Sequence, residues 1–225
     1  MKKVFAFLAA MVGICIGAFA QESRILDDWN EQIEARENDI ISSFSYANFT
    51  YNNYLGAPAG LNRSGWGIEI SALHIGFNPW TNGRFTLGLF DMAFDFGYLT
   101  YGNNFAVVNK QVEINSLLVP DSNKSNLTNF SYMFPIGYIQ RFGDTQWSAA
   151  FMASPGVCWD RYRNKYVLDN VRHEDDLRTD RGGNYFRLDL KAMIWYDNIG
   201  IVGRYTFARG FQGPGFVSVG ISFRI

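Results

Sequence analysis

Between residues 42 and 225, apolar and polar side chains alternate with a period of two, the spacing of β-strands with two unlike faces. In 89–99, Phe90, Met92, Phe94, Phe96 and Tyr98 alternate with Asp91, Ala93, Asp95 and Gly97. In 129–142, Phe130, Tyr132, Phe134, Ile136 and Tyr138 alternate with Ser131, Met133, Pro135 and Gly137. In 147–159, Trp147, Ala149, Phe151, Val157 and Trp159 oppose Ser148, Ala150, Ser154, Gly156 and Cys158. In 185–196, Phe186, Leu188, Leu190, Ala192, Ile194 and Tyr196 oppose Arg187, Asp189 and Lys191. Strands over 199–209 and 215–225 end the chain, and the last sets Val217, Val219, Ile221, Phe223 and Ile225 against Ser218, Gly220, Ser222 and Arg224. Two weaker strands precede these, over 42–54 and 65–78. In the second, Ile68 and Ile70 share one parity and Leu73, Ile75 and Phe77 the other, a phase change that a β-bulge explains. The pattern predicts an all-β chain of eight antiparallel strands.

The connections differ in length. Residues 55–64, 102–128 and 161–183 are long and polar, while 79–83, Gly143-Asp144, Asp197-Asn198 and 210–214 are short. Long loops on one side and tight turns on the other is the connection pattern of outer-membrane barrels, and an even strand number puts both chain termini on the short-turn, periplasmic side. Upstream, residues 22–41 are acidic, with Ile25, Trp29 and Ile33 four apart as a thin helical stripe; they read as a periplasmic tail or short helix. Residues 1–20 read as an export signal: Lys2 and Lys3, an apolar run from Val4 to Phe19, and the small-x-small site Ala18-Phe19-Ala20. The expected organisation is a signal peptide (1–20), a periplasmic N-terminal segment (21–41) and an outer-membrane β-barrel (42–225).

Alternation alone does not say which face is wet. A soluble lipocalin-like barrel would bury the apolar face and expose the polar one. Here the polar face is rich in Gly, Ala and Ser, which suit the narrow interior of an eight-stranded barrel. The apolar face is dense in aromatics, with Tyr98, Tyr101, Trp147, Trp159 and Tyr196 near strand ends, where a membrane barrel carries its girdles. Composition agrees: 17% of residues are aromatic, 18% are charged, and the mean hydropathy is only −0.10. Low charge with high aromatic content excludes disorder. A net charge of −1 gives no basis for nucleic-acid binding. Loss of the signal removes Lys2, Lys3 and Cys15, which leaves Cys158 alone and excludes an internal disulfide.

The last strand resembles the C-terminal assembly signal of Gram-negative outer-membrane proteins, with Phe223 and Ile225 on one face, although the terminal residue of that signal is usually aromatic. The segments 134–142 (FPIGYIQRF) and 196–205 (YDNIGIVGRY) resemble strands flanking periplasmic turns in the small outer-membrane β-barrel family, of the OmpA and OmpX kind. The resemblance covers roughly 42–225. It implies an eight-stranded transmembrane barrel in a bacterial outer membrane, monomeric, inserted by the assembly machinery and partnered by outer-membrane lipids. No carboxy-terminal peptidoglycan-binding domain of the full-length OmpA type is expected.

The polar face carries charges at membrane depth: Glu69, Asp91, Asp95, Arg141, Arg187, Asp189, Lys191, Arg204 and Arg224. Unpaired, each would be costly there, so they are expected to pair across the lumen. The competing reading is a narrow pore. Enzymatic chemistry would need His74 or His173 with a Ser and an acid, and Ser154 lacks a nucleophile-elbow context. His173 to Asp176 has no metal-ligand spacing. The chain is therefore read as non-enzymatic and without a cofactor, with a lipid-modifying enzyme as the remaining alternative. Five Asn-x-Ser/Thr sites, at Asn48, Asn62, Asn123, Asn126 and Asn129, are read as polar loop composition. The loops 102–128 and 161–183 are the expected places for a surface ligand.

Overall fold

The computed structural model describes residues 41–80, 83–109, 111–117, 119–142, 145–177, 185–210 and 213–224. The expected export signal, all but the last residue of the acidic segment, and Ile225 lie outside them. The described residues form strands and connections only: β1 (Ile41–Leu55), β2 (Leu61–Trp80), β3 (Gly83–Leu99), β4 (Asn103–Val108), β5 (Gln111–Ser116), β6 (Ser122–Asn123), β7 (Asn126–Met133), β8 (Ile136–Arg141), β9 (Trp147–Leu168), β10 (Val171–Leu177), β11 (Tyr185–Tyr196), β12 (Ile199–Gly210) and β13 (Gly213–Arg224).

Eight antiparallel crossings close on themselves, in the order β1, β2, β3, β7 with β8, β9, β11, β12, β13 and back to β1. The closing seam pairs β13 with β1 from Tyr46–Arg224 to Leu55–Gly215. β7 and β8 are halves of one crossing, both pairing with β3 and β9. They are interrupted at Phe134-Pro135, where proline has no N–H to give to a ladder. Closure leaves the ring no free edge, which is what a sheet in hydrocarbon requires.

The phase change in the second strand is a bulge. Phe44 and Tyr46 on β1 stand opposite His74 and Ser71 on β2, so three steps on β2 match two on β1. Ser71 and His74 both end up inside. β3 changes phase at the same level, with Asp91 and Gly88 both inward. That shift turns Arg84, which lies upstream of the expected strand 89–99, toward the lumen.

The two faces sort as the alternation predicts. Ile201, Val219 and Phe151 are about 60% exposed on the outside. The candidate girdle residues Tyr98, Tyr101, Trp147, Trp159 and Tyr196 are all exposed. Trp147 and Tyr196 meet edge-to-face at the short-turn end, and Trp66 Nε1 donates to Tyr98 Oη at the other. A continuous apolar outer surface of this kind is matched by lipid and not by water.

The long loops are more ordered than a reading as polar loops suggests. Within 102–128, β4 and β5 form a hairpin whose Phe105 packs with Leu61, Leu99, Val112, Leu127 and Tyr162 in an apolar cap. Asn164 pins it, accepting from Phe105 N and donating to Phe105 O, both at 2.7 Å. Within 161–183, β9 continues to Leu168, turns at Asp169-Asn170 and returns as β10. Both turn residues take positive φ (50° and 59°), the conformation of a tight type I′ hairpin.

Candidate functional site

Seven of the nine lumen charges read from the sequence meet in one network: Glu69 on β2, Asp91 and Asp95 on β3, Arg187, Asp189 and Lys191 on β11, and Arg204 on β12. Each side chain is essentially wholly buried. Inward parity places them, and register sets their heights. Lys191 and Arg204 are direct cross-strand partners, and so are Ser71 and Asp91.

Arg187 binds Asp189 through two parallel bonds, Nε to Oδ1 and Nη2 to Oδ2, each 2.8 Å. Its Nη1 reaches Asp95 Oδ2 at 2.7 Å and Ser131 Oγ at 2.8 Å. Arg204 Nη2 donates to the other Asp95 oxygen at 2.6 Å, and Asn52 Nδ2 donates to the same atom at 2.8 Å. Lys191 Nζ binds Glu69 Oε1 and reaches Asp91 Oδ2 at 2.5 Å. Arg187 and Arg204 also lie over the Phe216 ring, at 5.3 and 5.2 Å. Fork geometry and shared acceptors hold charges that would each cost several kcal/mol if left alone in this interior.

Above the network, toward the long-loop end, Cys158 Sγ lies 2.7 Å from Asn129 Oδ1 and accepts from Ser131 Oγ at 3.1 Å. Asn129 also donates to Asp160 Oδ1 at 2.7 Å. Asn48 and Asn129, read from the sequence as polar loop positions, instead point into the lumen and are buried. Below the network, Tyr46, Ile139, Ala150, Met152, Met193, Trp195 and Val202 form an apolar layer across the lumen. The two remaining charges, Arg141 and Arg224, lie beyond this layer at the short-turn end and do not join the network. Parity put them on the polar face but carried no information about depth.

Sequence reasoning missed Asn52, Asn129, Ser131 and Tyr46 as network partners. Asn52 and Tyr46 share one parity of β1, and an inward Asn or Tyr beside charges was a usable signal. His74 stacks obliquely on Tyr46 and lies 2.5 Å from Ser71 Oγ; both residues are fully buried inside the barrel. His173, Glu174, Asp175 and Asp176 lie along β10, and among the described residues no group of His, Cys, Asp or Glu has metal-binding geometry. Across the hairpin, Arg161 pairs with Asp176 and Arg163 with Glu174, while Arg172 Nη2 donates to Glu174 Oε2 at 2.5 Å. That bond holds the Glu174 carboxyl below its usual range, assisted by the charges of Arg163 and Lys165. Phe223 faces outward and packs edge-to-face on Phe49.

No family model matches the chain. No curated protein sequence matches it either. Among solved structures, the chain is similar to Ail, the attachment invasion locus protein of Yersinia pestis, solved with the heparin analogue sucrose octasulfate: 9% identity, 81% of this chain and 97% of that one, TM-score 0.40. It is similar to the outer-membrane enzyme PagL at 11% identity over 80% and 98%, TM-score 0.39. The N-terminal β-barrel domain of Pseudomonas aeruginosa OprF matches at 12% identity over 82% and 100%, TM-score 0.32. With its closed antiparallel ring, apolar exterior and packed polar lumen, the chain has the fold of a small outer-membrane β-barrel.

Proposed function

We propose that this protein is a closed, non-catalytic outer-membrane barrel that anchors a rigid charged hairpin at the cell surface, with a structural role in the membrane and a binding role at the hairpin. The observation that carries this reading is the lumen itself. Seven buried charges join across it at mid-depth, an apolar layer lies below them, and the Phe105 cluster caps the long-loop end. A steady conduit for solutes would need a polar, hydrated path along the axis. The cross-strand ion pairs favour a β9–β10 hairpin that projects as a fixed surface. His74 and Ser71 form a contact of the kind a hydrolase uses, but their burial favours a packing role.

Recording from the purified protein in planar bilayers tests the closed lumen. Silence or rare, brief openings are expected, and large steady channels overturn the reading. Proteolysis of intact cells tests the topology. Cleavage confined to 102–128 and 161–183 is expected, and a chain recovered soluble from the periplasm overturns it. Replacing 161–183 by a short turn tests the binding role: the barrel is expected to fold while cell-surface binding falls, and unchanged binding overturns it.

A further inference from the structure

The outward face of β9 changes character at one residue. It is apolar up to Trp159, and the next three outward positions are Arg161, Arg163 and Lys165. Two residues of antiparallel strand advance about 7 Å, so the cationic row starts within one side chain of the aromatic girdle. Register adds the neighbours. Lys124 N donates to Lys165 O at 2.7 Å, and the ladder on either side of that bond puts Lys124 on the same outward face. Across the hairpin, Arg172, Glu174 and Asp176 are the partners of Val167, Lys165 and Arg163. Among the described residues this face therefore carries five cations and two carboxylates. Both carboxylates are shared: Glu174 pairs with Arg163, Lys165 and Arg172, and Asp176 with Arg161 and Arg163. The nearby acids lie elsewhere. Asp175 is the partner of Asn164 on the opposite face, Asp160 accepts from Tyr162 and Tyr185 inside the barrel, and Asp121 and Asp169 stand at the hairpin tip. Arg161 and Arg172 keep 66% and 64% of their side-chain surface exposed within their pairs, so each guanidinium still has donors to offer.

The same surface continues downward as an aromatic strip. Arg161 stands beside Thr128 and Thr128 beside Phe96, while Trp159 stands beside Phe130 and Phe130 beside Phe94. The rings of Phe94, Phe130 and Trp159 follow one another at 4.9 and 5.5 Å, and Trp66 lies on Phe96 at 4.1 Å. A positive face in water suits any anion. One that is continuous with lipid-facing rings suits an amphiphile, whose chains lie on the rings while its anionic group meets the first cations above them. Guanidinium groups match phosphoryl oxygens in geometry and bind them through charge-assisted pairs. We infer that the outward face of β7, β9 and β10 docks the phosphorylated headgroup of an outer-leaflet lipid, with Arg161 and Arg163 on the phosphoryl oxygens and the chains along Phe94, Phe130 and Trp159. Lys124, Lys165 and Arg172 add to the attraction from above. This assignment rests on the reading of the β9–β10 hairpin as a binding element at the cell surface.

The test uses the mature chain refolded in non-ionic detergent, with its fold checked by heat-modifiable gel mobility. Native mass spectrometry reads which lipid is retained when dioleoyl phosphatidic acid and dioleoyl phosphatidylcholine are added in equal amounts. The parent is expected to retain phosphatidic acid at least about fivefold over phosphatidylcholine, and R161Q/R163Q to lose that preference. Equal retention by the parent, or an unchanged preference in the double variant, overturns the site. The two arginines also pair with Glu174 and Asp176, so E174Q/D176N is the second variant. It breaks the same ion pairs while removing two negative charges, and its preference for phosphatidic acid is expected to rise. A fall would mean that the arginines act only by ordering the hairpin, and would overturn the inference. Inorganic phosphate titrated into the same micelles is expected to show no saturable binding. Saturable binding that R161Q/R163Q abolishes would assign the face to a soluble anion and overturn the lipid. A closed, inserted barrel without lipid preference removes this inference alone, whereas a conducting barrel or a soluble chain removes the reading beneath it.

Discussion

Lys191 and Asp91 are 100 residues apart in sequence, yet Lys191 Nζ lies 2.5 Å from Asp91 Oδ2 in the middle of the lumen. Glu69 binds the same ammonium from the next strand. The network as a whole sets four carboxylates (Glu69, Asp91, Asp95, Asp189) against three cations (Arg187, Lys191, Arg204), a formal surplus of one negative charge. Deletions on the two sides are therefore unequal. Lys191→Met leaves Asp91 without its cation and Glu69 with Arg204 alone, at 3.4 Å, and is expected to cost about 3–5 kcal/mol. Asp91→Asn keeps the volume, leaves three charges of each sign and is expected to cost clearly less. Asp91→Ala falls between them and opens no conductance. Urea unfolding in micelles ranks the three, and equal losses for Lys191→Met and Asp91→Asn would contradict the charge count.

Gly67 on β2 is the direct cross-strand partner of Asp95 on β3, and both face the lumen. A Cβ at this position would sit 2.4 Å from Asp95 Oδ1 and 2.8 Å from Thr50 Oγ1. The Asp95 oxygen concerned also accepts from Arg204 and Asn52. Gly67→Ala is thus expected to push the carboxylate off its donors and to destabilise by about 1–3 kcal/mol, the range for overpacking a filled interior. Gly203, whose nearest neighbour to an added Cβ is a backbone oxygen at 4.0 Å, serves as the control. Gly203→Ala is expected to be close to neutral in the same unfolding assay.

The cap predicts a local effect. Phe105 is held by packing and by the two bonds from Asn164. Phe105→Ala and Asn164→Ala are each expected to free the β4–β5 hairpin while the ring stays folded. Limited proteolysis of intact cells should then cut within 103–116 faster than in the parent, with heat-modifiable mobility unchanged. Simultaneous loss of that mobility would mean that the cap is part of the barrel's folding unit.

The β9–β10 hairpin should respond to acid. The Glu174 carboxyl is held low chiefly by the Arg172 bond. A depressed folded-state value adds stability that is present above the unfolded value and is lost as pH falls through the folded one. Amide protection over Val171–Leu177, taken relative to the intrinsic exchange rate at each pH, is expected to fall as pH drops below the ordinary carboxylate range. Glu174→Gln is expected to remove most of that dependence. The pair is exposed, so the effect should also shrink with added salt.

The strand pattern and the sorting of faces were legible because the period-two signal is strong where one face is lipid and the other a packed lumen. Parity found all seven network charges, since an inward charge must be paired in any closed barrel. Depth was not legible. Arg141 and Arg224 share the parity of the network residues, and only the apolar layer with Trp195 and Met193 shows that they stand apart. Arg84 was hidden by the bulge in β3, which reverses parity between Asp91 and Gly88. The β9–β10 hairpin was hidden by its own charge, since 161–183 reads as a solvated loop. Asp169-Asn170, between Tyr166-Val167-Leu168 and Val171, was the available turn signal.

The direction of the faces is open to a single substitution. Val219 sits in the middle of β13, 61% exposed, paired with Tyr51 and Gly203. If that surface meets hydrocarbon, Val219→Arg should lower the stability of the folded barrel in bilayers by about 2–4 kcal/mol, whereas Val219→Leu should be neutral. An outward face in water gives the opposite expectation, because a cation there would break an exposed apolar patch and raise solubility. Folding titrations into phosphatidylcholine vesicles distinguish the two, with Gln111→Arg, exposed at the start of β5, as a control expected to change little. A Val219→Arg chain that stays as stable as the parent and remains soluble without lipid or detergent would overturn the membrane orientation, and with it the proposal that the lumen charges form an internal closure.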